Sequence, residues 1–447
     1  MIKVITYGTY DLLHYGHINL LKKAKALGDY LIVGVTADDF DKTRGKINVK
    51  QTLIERVEAV RETGLADEII VEEYEGQKIE DILKYDVDIF TVGSDWKGKF
   101  DYLEEFCKVV YLPRTEGISS SELRGEERKI RLGLVGSSPV LNKIAKEMQY
   151  VNGMELSGIC TTDDSRLSER IKNMPIVTSV YEEIIEYSDA IYILSSPENH
   201  YKQIKKALEL KKHIICESPI TLSERQNREL FLLAKENGCT LFDAIKTAYS
   251  TAYGRLLVLA KSGKIGKIVS VDATCTSLSD RIQEGIEYSS KTWNSICGWG
   301  PIALLPIFQL LGTDYKKKTI ITKLVDRNRM LDSFTKIDFI FSEATASIKV
   351  GKGVKSEGDL VITGTEGYIY VPSPWWKTDY FEVRYENASN NKRYFYQLDG
   401  EGIRYELVAF SRAIENNKNQ FYLSEDVSRN ISKIMESFYE KKDFYEI

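Results

Sequence analysis

A short strand that runs into a glycine turn and then into a helix begins two separate stretches of this chain. The first is "KVITYG" followed by "HINLLKKAKALG", and the second is "IRLGLVGSS" followed by "LNKIAKEMQY". Further apolar runs rich in β-branched residues follow each of them, with helical patterns in between. Strands separated by helices predict parallel, doubly wound sheets. At 447 residues the chain is long enough for two or three domains.

The pattern changes along the chain and divides it into three predicted domains. Residues 1–125 alternate strands and helices, and residues 128–248 start the same pattern afresh after the charged segment "RGEERKI". Residues 249–447 instead alternate apolar and polar residues, as in "TKIDFIFS" and "DLVITGTEGYIYV". That alternation predicts a mostly antiparallel sheet with helices on one face. The predicted fold class is α/β: a Rossmann-like domain, a second Rossmann domain and an α+β domain.

Composition and charge exclude several classes of protein. The net charge of -5 implies no general attraction to nucleic acid. No apolar run approaches the roughly 18 residues of a membrane span, and the chain starts with a strand rather than a secretory signal. The six cysteines are scattered without metal-ligand spacing, so we assign no metal ligands and expect reduced thiols. We therefore expect a cytoplasmic enzyme.

The stretch "ITYGTYDLLHYGHINLL" holds two of the four histidines of the chain, His14 and His17. They lie at the predicted start of a helix, whose N-terminal N–H groups favour anions. Gly8 lets the backbone approach a ligand closely. Imidazole donors at this place suit a triphosphate that loses pyrophosphate. The alternative is a surface helix with two incidental histidines.

Residues 1–125 resemble the cytidylyltransferases, and among them the bacterial glycerol-3-phosphate enzymes. The H-x-G-H signature of that family stands here as "HYGH", and its second signature, R-T-x-G-I-S-[ST]-[ST], as "RTEGISSS". Between the two lies "VGSDWKGKFDYL", which is similar to the bacterial glycerol-3-phosphate enzymes. This part is therefore interpreted as a Rossmann-like nucleotidyltransferase domain.

The resemblance implies a site and a reaction. CTP would bind with Mg²⁺, and the phosphate oxygen of a second substrate would attack the α-phosphorus in line, so that positioning and charge neutralisation carry the catalysis. Lys78 matches a lysine that contacts the substrate phosphate, and Arg44 replaces a family lysine, which changes the donor geometry. The implied catalytic residues are His14, His17, Lys46 and Arg114. The implied binding residues include Thr9 and Tyr10, which would contact the nucleotide through their backbone. The others are Gly8, Asp11, Gly16, Arg44, Lys78, Asp95, Trp96, Thr115, Gly117, Ile118, Ser119, Ser120 and Ser121.

Residues 128–447 resemble the glucose–fructose oxidoreductase and inositol dehydrogenase family. The segment "LSSPENHYKQIKKALELKKHIICESPI" carries much of that resemblance, and "GKIGKIVSVDAT", "GTEGYIYV" and "FSRAIENNKN" extend it. The resemblance implies an NAD(P) cofactor. The candidate dinucleotide-binding residues are Gly133, Gly136, Ser137, Ser138, Pro197, His200 and Glu217. For His200 the alternative is a structural histidine that caps the following helix.

Departures from the family pattern argue against oxidoreductase chemistry in this part. Serines at 137 and 138 are expected to crowd a pyrophosphate, and Ser218 replaces the family lysine that assists proton transfer. The segment from Trp293 to Gly312 contains no Asp, Glu, His or Tyr. Two interpretations stay open: an active reductase in which Lys246 or a nearby tyrosine supplies the proton, or a retired domain kept for ligand binding, assembly or substrate presentation. We favour the second, with weak NAD(P) binding at most and no turnover of common polyols.

For the whole chain we expect transfer of CMP from CTP to a phosphorylated alcohol, with glycerol phosphate first among the acceptors. The product would serve a surface polysaccharide or a teichoic-acid-type polymer. The alternatives are a bifunctional enzyme that also reduces a keto precursor with NAD(P)H, and a polyol or sugar dehydrogenase with an accessory nucleotidyl domain. We expect a homodimer or higher homo-oligomer, with no nucleic-acid partner and no membrane insertion.

We predict that residues 1–125 fold and are active alone, because both signatures and a full strand–helix set precede the charged segment. Pyrophosphate release by the isolated fragment, beside the full chain, measures this. A fragment that is inactive until residues 128–447 are added would place the boundary elsewhere.

Overall fold

The computed structural model describes residues 1–37, 49, 51–73, 77–113, 129–151, 153–278, 294–396, 398–415 and 422–447. The chain divides into two compact units, Met1–Arg128 and Lys129–Ile447. Each unit contains its own sheets and its own hydrophobic core.

The first unit is built on a five-stranded parallel sheet. Its strands are β1 (Lys3–Gly8), β2 (Tyr30–Thr36), β3 (Glu68–Glu72), β4 (Ile89–Gly93) and β5 (Lys108–Leu112). Their order is β3-β2-β1-β4-β5, and every neighbouring pair is parallel. The direction of winding reverses between β1 and β4, where the carboxyl ends of such strands bind ligands. The predicted Rossmann-like fold of this part is confirmed.

Hydrophobic clusters lie on both faces of this sheet. The helices of the unit are α1 (Tyr15–Lys25), α2 (Leu53–Glu62) and α3 (Gln77–Tyr85). Val4 and Ile5 are neighbours on β1 but belong to different clusters, because successive side chains of a strand point to opposite faces. Leu21 of α1 packs in the cluster of Val4, and Ile82 of α3 packs in the cluster of Ile5.

The second unit begins with a six-stranded parallel sheet. Its strands are β6 (Ile130–Gly136), β7 (Met154–Cys160), β8 (Val177–Thr178), β9 (Ala190–Leu194), β10 (His213–Glu217) and β11 (Leu241–Ala244). Their order is β11-β10-β9-β6-β7-β8, with every pair parallel. The helices are α4 (Val140–Glu147), α5 (Glu169–Lys172), α6 (Tyr181–Tyr187), α7 (Pro197–Glu209) and α8 (Glu224–Glu236). This is the predicted second Rossmann-like sheet.

A mixed, mostly antiparallel sheet completes the second unit, as predicted. Its strands are β12 (Ile268–Leu278), β13 (Lys317–Asp326), β14 (Leu331–Ile340), β15 (Thr345–Gly351), β16 (Gly353–Val354), β17 (Leu360–Gly364), β18 (Tyr368–Val371), β19 (Tyr380–Arg384), β20 (Lys392–Phe395) and β21 (Phe444–Glu446). β12 pairs with β15, and β13 with β21, in parallel; the other pairs are antiparallel. The helices are α9 (Thr251–Lys261), α10 (Ser295–Leu311), α11 (Ile403–Glu415) and α12 (Glu425–Tyr439). α10 packs against β12 and β15.

In the part of the chain that the structure describes, no helix is both long enough and apolar enough to span a membrane.

Two buried carboxyl groups lie close together in the second unit, near the carboxyl ends of its parallel strands. Glu406 of α11 accepts a hydrogen bond from the hydroxyl of Tyr192 on β9 at 2.7 Å, and its side chain is 1% exposed, whereas Asp243 is 3% exposed. Burial raises the pKa of Glu406 to about 7 and the pKa of Asp243 to about 6. Asp243 and Glu217 raise the pKa of Glu406 further, and Lys246 lowers it.

We expect Glu406→Gln to stabilise the second unit relative to the wild type more strongly as the pH rises. The folded wild-type protein holds its proton on Glu406 up to about pH 7, whereas the unfolded chain releases it near 4.5. Stability from this group is therefore present at low pH and is lost as the pH rises through about 7. Glutamine has no such proton to lose and can still accept from Tyr192.

Urea unfolding of both proteins from about pH 5 to about pH 8 measures the difference in the free energy of unfolding. The exposed control Glu209→Gln should show a constant difference. A constant difference for Glu406→Gln as well would contradict the buried-acid interpretation.

Candidate active site

The two histidines of the first unit lie together at the start of α1. His14 is the N-cap residue, and its Nδ1 accepts a hydrogen bond from the backbone N–H of Gly16 at 3.1 Å. In a neutral ring the proton then lies on Nε2, which leaves that nitrogen as the donor. The rings of His14 and His17 stack, with their centroids 3.9 Å apart. Imidazole N–H groups and a helix N-terminus therefore occupy one corner of the sheet.

The buried side chain of Tyr10 packs under the turn between β1 and α1. Its backbone has a φ of 54°, its side chain is 2% exposed, and its ring meets His17 edge-on at 5.6 Å. A methyl group at Gly8 would touch that ring at 3.0 Å, so a larger residue at position 8 would have to displace Tyr10. Since the side chain is in the core, the predicted contact of Tyr10 with a nucleotide can come from its backbone.

Arg56 of α2 holds this turn in place, a role that the sequence pattern did not predict. The side chain is fully buried. Its guanidinium donates to the carbonyl oxygens of Thr9 at 2.6 Å, Thr36 at 2.8 Å and Gln51 at 3.2 Å. A guanidinium has enough donors to bind three carbonyls at once, so one side chain joins the ends of β1 and β2 to the segment that precedes α2.

A pocket with aromatic walls opens at the carboxyl ends of β1, β2 and β4, which is the switch point of the sheet. The space within it, including open solvent at its mouth, is about 350 Å³. Its lining consists of Tyr7, Gly8, Thr9, Thr36, Lys78, Phe90, Val92, Trp96 and Phe100. Four of the predicted binding residues thus line one pocket: Gly8, Thr9, Lys78 and Trp96.

Lys78 provides the positive charge of this pocket and is held by Glu72. The two side chains form an ion pair, and Glu72 also accepts a hydrogen bond from the hydroxyl of Thr36 at 2.9 Å. The ammonium of Lys78 lies 4.7 Å from the ring centroid of Tyr7 and 5.5 Å from that of Phe100, within cation–π range. The pair fixes the charge among apolar walls.

Two hydrogen bonds behind the pocket wall hold Tyr7 in place. The hydroxyl of Tyr7 donates to Asp81 at 2.8 Å, and the amide of Gln77 donates to the same carboxylate oxygen at 3.0 Å. Burial and the neighbouring Asp81 carboxylate raise the pKa of Tyr7, which stays protonated as a donor. Both Asp81 and Gln77 lie on α3, the helix that carries Lys78.

Two further predicted binding residues, Asp11 and Asp95, lie outside the lining of this pocket. Asp11 accepts a hydrogen bond from the backbone of Gln51 at 3.0 Å and is 3% exposed. Asp95 is exposed, beside the pocket residue Trp96. Among the residues that the structure describes, no group of three or more His, Cys, Asp or Glu side chains could hold a metal ion. The predictions for Arg44, Lys46, Arg114, Thr115, Gly117, Ile118, Ser119, Ser120 and Ser121 lie outside the described residues.

The glycine turn that follows β6 in the second unit is tight. Gly136 has a φ of 128°, and a methyl group there would collide with the carbonyl oxygen of Leu194. The Ser137 hydroxyl forms a hydrogen bond with Thr161 at 2.8 Å, and the Ser138 hydroxyl accepts from the backbone of Val140 at 3.3 Å. Both serine side chains thus have hydrogen-bond partners beside the turn. The presence of two serines is therefore not enough to conclude that they would crowd a ligand.

His200 is a buried structural residue. It lies in the first turn of α7, where Pro197 is the first residue and Ser196, not His200, is the N-cap. Its ring nitrogens contact the carbonyl oxygens of Pro219 and Ser195, each at 2.9 Å, and its side chain is fully buried. Burial lowers the pKa of the ring. The residue joins the ends of β9 and β10, but it does not cap the helix in the way the sequence suggested.

Comparison with known proteins assigns the first unit. Residues 5–126 match the family model described as cytidylyltransferase-like. The glycerol-3-phosphate cytidylyltransferase of Bacillus spizizenii is 49% identical over 129 residues, which cover 28% of this chain and 95% of the relative. That of Bacillus subtilis is 47% identical over 131 residues, which cover 28% of this chain and 97% of the relative.

This chain belongs to the cytidylyltransferase family. It is a nucleotidyltransferase, and the paired histidines and the Lys78 pocket lie within the matched residues.

The second unit is similar to a different family of proteins. Residues 130–244 match the model of an oxidoreductase family with an NAD-binding Rossmann fold. A 3-ketoreductase from Actinomadura kijaniata, solved with NADP and TDP-benzene, has a TM-score of 0.63 at 18% identity and covers 72% of this chain and 99% of that one. This likeness shows the fold of the second unit.

We predict that His14→Ala and His17→Ala each lower the turnover of cytidylyl transfer by about 100-fold or more, because each removes a donor fixed in place before the reaction. The measurement is steady-state pyrophosphate release. His213→Ala, in the second unit, is the matched control and should leave transfer unchanged. Turnover near the wild-type value in either variant, with an unchanged unfolding temperature, would contradict the phosphate-site assignment.

Proposed function

We propose that this protein transfers CMP from CTP to a glycerol phosphate and releases pyrophosphate. The observation that carries the proposal is the charged and aromatic pocket around Lys78, which lies at the switch point of the sheet beside the turn that leads to His14 and His17. One end of this site offers donors for a triphosphate, and the other offers one ammonium group for a phosphate monoester. The glycerol-3-phosphate cytidylyltransferases similar to this unit support that acceptor.

The chain's own residues act by position and charge. Lys78 draws the acceptor phosphate into the pocket, and the rings of Tyr7 and Phe100 pack against its carbon chain. The phosphate oxygen, already an anion, attacks the α-phosphorus of CTP, and the bond to the β-phosphate breaks. Negative charge grows on the leaving pyrophosphate, where the N–H groups of His14 and His17 stabilise it. No covalent intermediate with the enzyme is required.

We place Mg²⁺ on the triphosphate itself. The described residues offer no cluster of carboxylates for a metal, and Mg²⁺ often binds through substrate phosphates with few protein ligands. It would neutralise part of the negative charge of the triphosphate, in addition to the charge that the histidines and Lys78 stabilise.

The proposal extends to the use of the product and to the second unit. A CDP-alcohol of this kind would serve the synthesis of a surface polymer. A nicotinamide dinucleotide would bind in the second unit at the Gly136 turn, since this turn after β6 has the positive φ and the lack of a side chain that are typical of such sites.

We expect pyrophosphate release with CTP to be fastest for glycerol-3-phosphate among a panel that includes glycerol-2-phosphate, a longer polyol phosphate and phosphoethanolamine. Lys78→Met combined with Glu72→Gln removes both charges of the buried pair and should raise the KM for the acceptor by about 10-fold or more, with a smaller effect on the KM for CTP.

Lys84→Met, on the exposed face of the same helix, is the control for that double variant. A preference for phosphoethanolamine would redirect the assignment of the acceptor. An unchanged acceptor KM in the double variant would remove Lys78 from the site.

A further inference from the structure

The turn between β1 and α1 contains two residues with a left-handed backbone, although neither of them is glycine. Tyr10 has a φ of 54° and Leu12 a φ of 48°. This conformation is unfavourable for a residue with a side chain, and it persists only where the surrounding structure holds it. Leu12 lies two residues before His14, the N-cap of α1. Whatever holds Leu12 therefore also decides where His14 lies.

Gln51 holds Leu12 in this conformation. Its side-chain Oε1 accepts a hydrogen bond from the backbone N–H of Leu12 at 2.7 Å. In the opposite direction, the backbone N–H of Gln51 donates to the carboxylate of Asp11 at 3.0 Å. Because the two bonds join neighbouring residues of the turn to the same glutamine, the turn cannot move relative to Gln51 without breaking at least one of them.

The buried side chain of Arg56 connects Gln51 to the same turn a third time. Its Nε donates to the backbone carbonyl of Gln51 at 3.2 Å, and its guanidinium also donates to the carbonyl of Thr9 at 2.6 Å. Three polar groups of Gln51, the backbone N–H, the backbone carbonyl and Oε1, thus bind either the turn or the side chain that fixes it.

The start of α2 fixes Gln51 from the other side. Thr52, the next residue, is the N-cap of α2 and forms a capping box with Glu55. The backbone N–H of Glu55 donates to the Thr52 hydroxyl at 3.3 Å, and the backbone N–H of Thr52 donates to the Glu55 carboxylate at 2.7 Å. Since this box sets the direction in which the chain enters the helix, Gln51 links an ordered helix start to the left-handed turn.

We propose that Gln51 is a positioning residue for cytidylyl transfer. It holds the turn between β1 and α1 in its left-handed form before CTP binds, and it acts on the reaction through His14 without touching either substrate. This inference rests on the proposed function, in which His14 is a donor to the leaving pyrophosphate.

The effect of Gln51 falls on the transition state. In the ordered turn, Nδ1 of His14 accepts from the backbone N–H of Gly16 at 3.1 Å, so that Nε2 carries the proton of the neutral ring. If the turn relaxes, neither the ring nor its tautomer is fixed, and this donor has to be ordered while charge grows on the leaving group. Acceptor binding at Lys78 does not use the turn, so turnover should fall without a change in acceptor affinity.

The first test is kinetic and uses Gln51→Met in the full chain. Methionine has a similar length, but its sulfur is only a weak acceptor. Pyrophosphate release is measured with CTP and the acceptor that the wild type uses best. We expect kcat to fall by about 10-fold or more and the KM for the acceptor to stay within about twofold of the wild-type value. Gln51→Asn, which keeps the amide on a shorter side chain, replaces this variant if it does not fold.

Thr63→Val, at the other end of α2, is the matched control. The Thr63 hydroxyl accepts from the backbone N–H of Leu65 at 3.2 Å and donates to the carbonyl of Val60 at 2.7 Å. Its loss removes side-chain hydrogen bonds from the same unit without touching the turn, and thermal unfolding measures the cost to stability in both variants. Thr63→Val should keep the wild-type kcat, and an equal fall in both variants would overturn the proposal.

The second test needs no substrate. The chain has four histidines, so the imidazole nitrogens of protein labelled with ¹⁵N-histidine give few NMR signals, and the spectrum of His14→Ala assigns those of His14. At about pH 8, where an ordinary histidine is neutral, His14 should show a protonated Nε2 and an unprotonated Nδ1. Gln51→Met should move both signals towards a mixture of tautomers, whereas the signals of His213, in the second unit, should not move.

Wild-type kcat in Gln51→Met, a rise in the acceptor KM without a fall in kcat, or unmoved His14 signals would each overturn the role of Gln51. A wild-type protein that releases no pyrophosphate with any acceptor of the panel would instead overturn the proposed function. In that case the imidazole signals alone decide whether Gln51 holds the turn, so the two failures are distinguishable.

Discussion

The buried ion pair between Glu72 and Lys78 is the interaction on which the proposed acceptor pocket depends. Either charge alone would be costly among the rings of Tyr7, Phe90 and Phe100, and removing one partner of such a pair destabilises a protein strongly. Together they are tolerated, and Thr36 fixes the carboxylate by a further hydrogen bond. The pocket can therefore combine apolar walls with one ammonium group, which is the chemistry that a small phosphate monoester requires.

The proposed triphosphate site at the start of α1 depends on the turn that follows β1. The turn from Gly8 to His14 is held by the buried guanidinium of Arg56 and by the ring of Tyr10 beneath it. Because the turn is fixed on both sides, the histidines can lie at the N-terminus of α1 with one ring nitrogen of His14 already used as the cap. These donors are therefore in place before the substrate binds, and binding energy is not needed to order them. Electrostatic stabilisation of a leaving group requires such preorganised donors.

Much of this could be predicted from the sequence, and the limits have a physical reason. The alternation of strands and helices predicted both parallel sheets, and the period-two segments predicted the mixed sheet. The segment around His14 and His17 was predicted to start a helix, and the structure shows both histidines at the start of α1. Arg56 and Glu72 were missed because buried polar side chains carry no periodic signal; their partners are backbone carbonyls and side chains of distant segments.

The account is tested most directly by a crystal structure of this protein with both products, CDP-glycerol and pyrophosphate. It predicts that the pyrophosphate lies against the imidazoles of His14 and His17, and that Lys78 Nζ contacts the glycerol-side phosphate of CDP-glycerol while it keeps its ion pair with Glu72. The glycerol carbons should pack against Phe100. A product bound away from the carboxyl ends of β1 and β4, or one whose phosphates contact neither Lys78 nor the histidines, would contradict it.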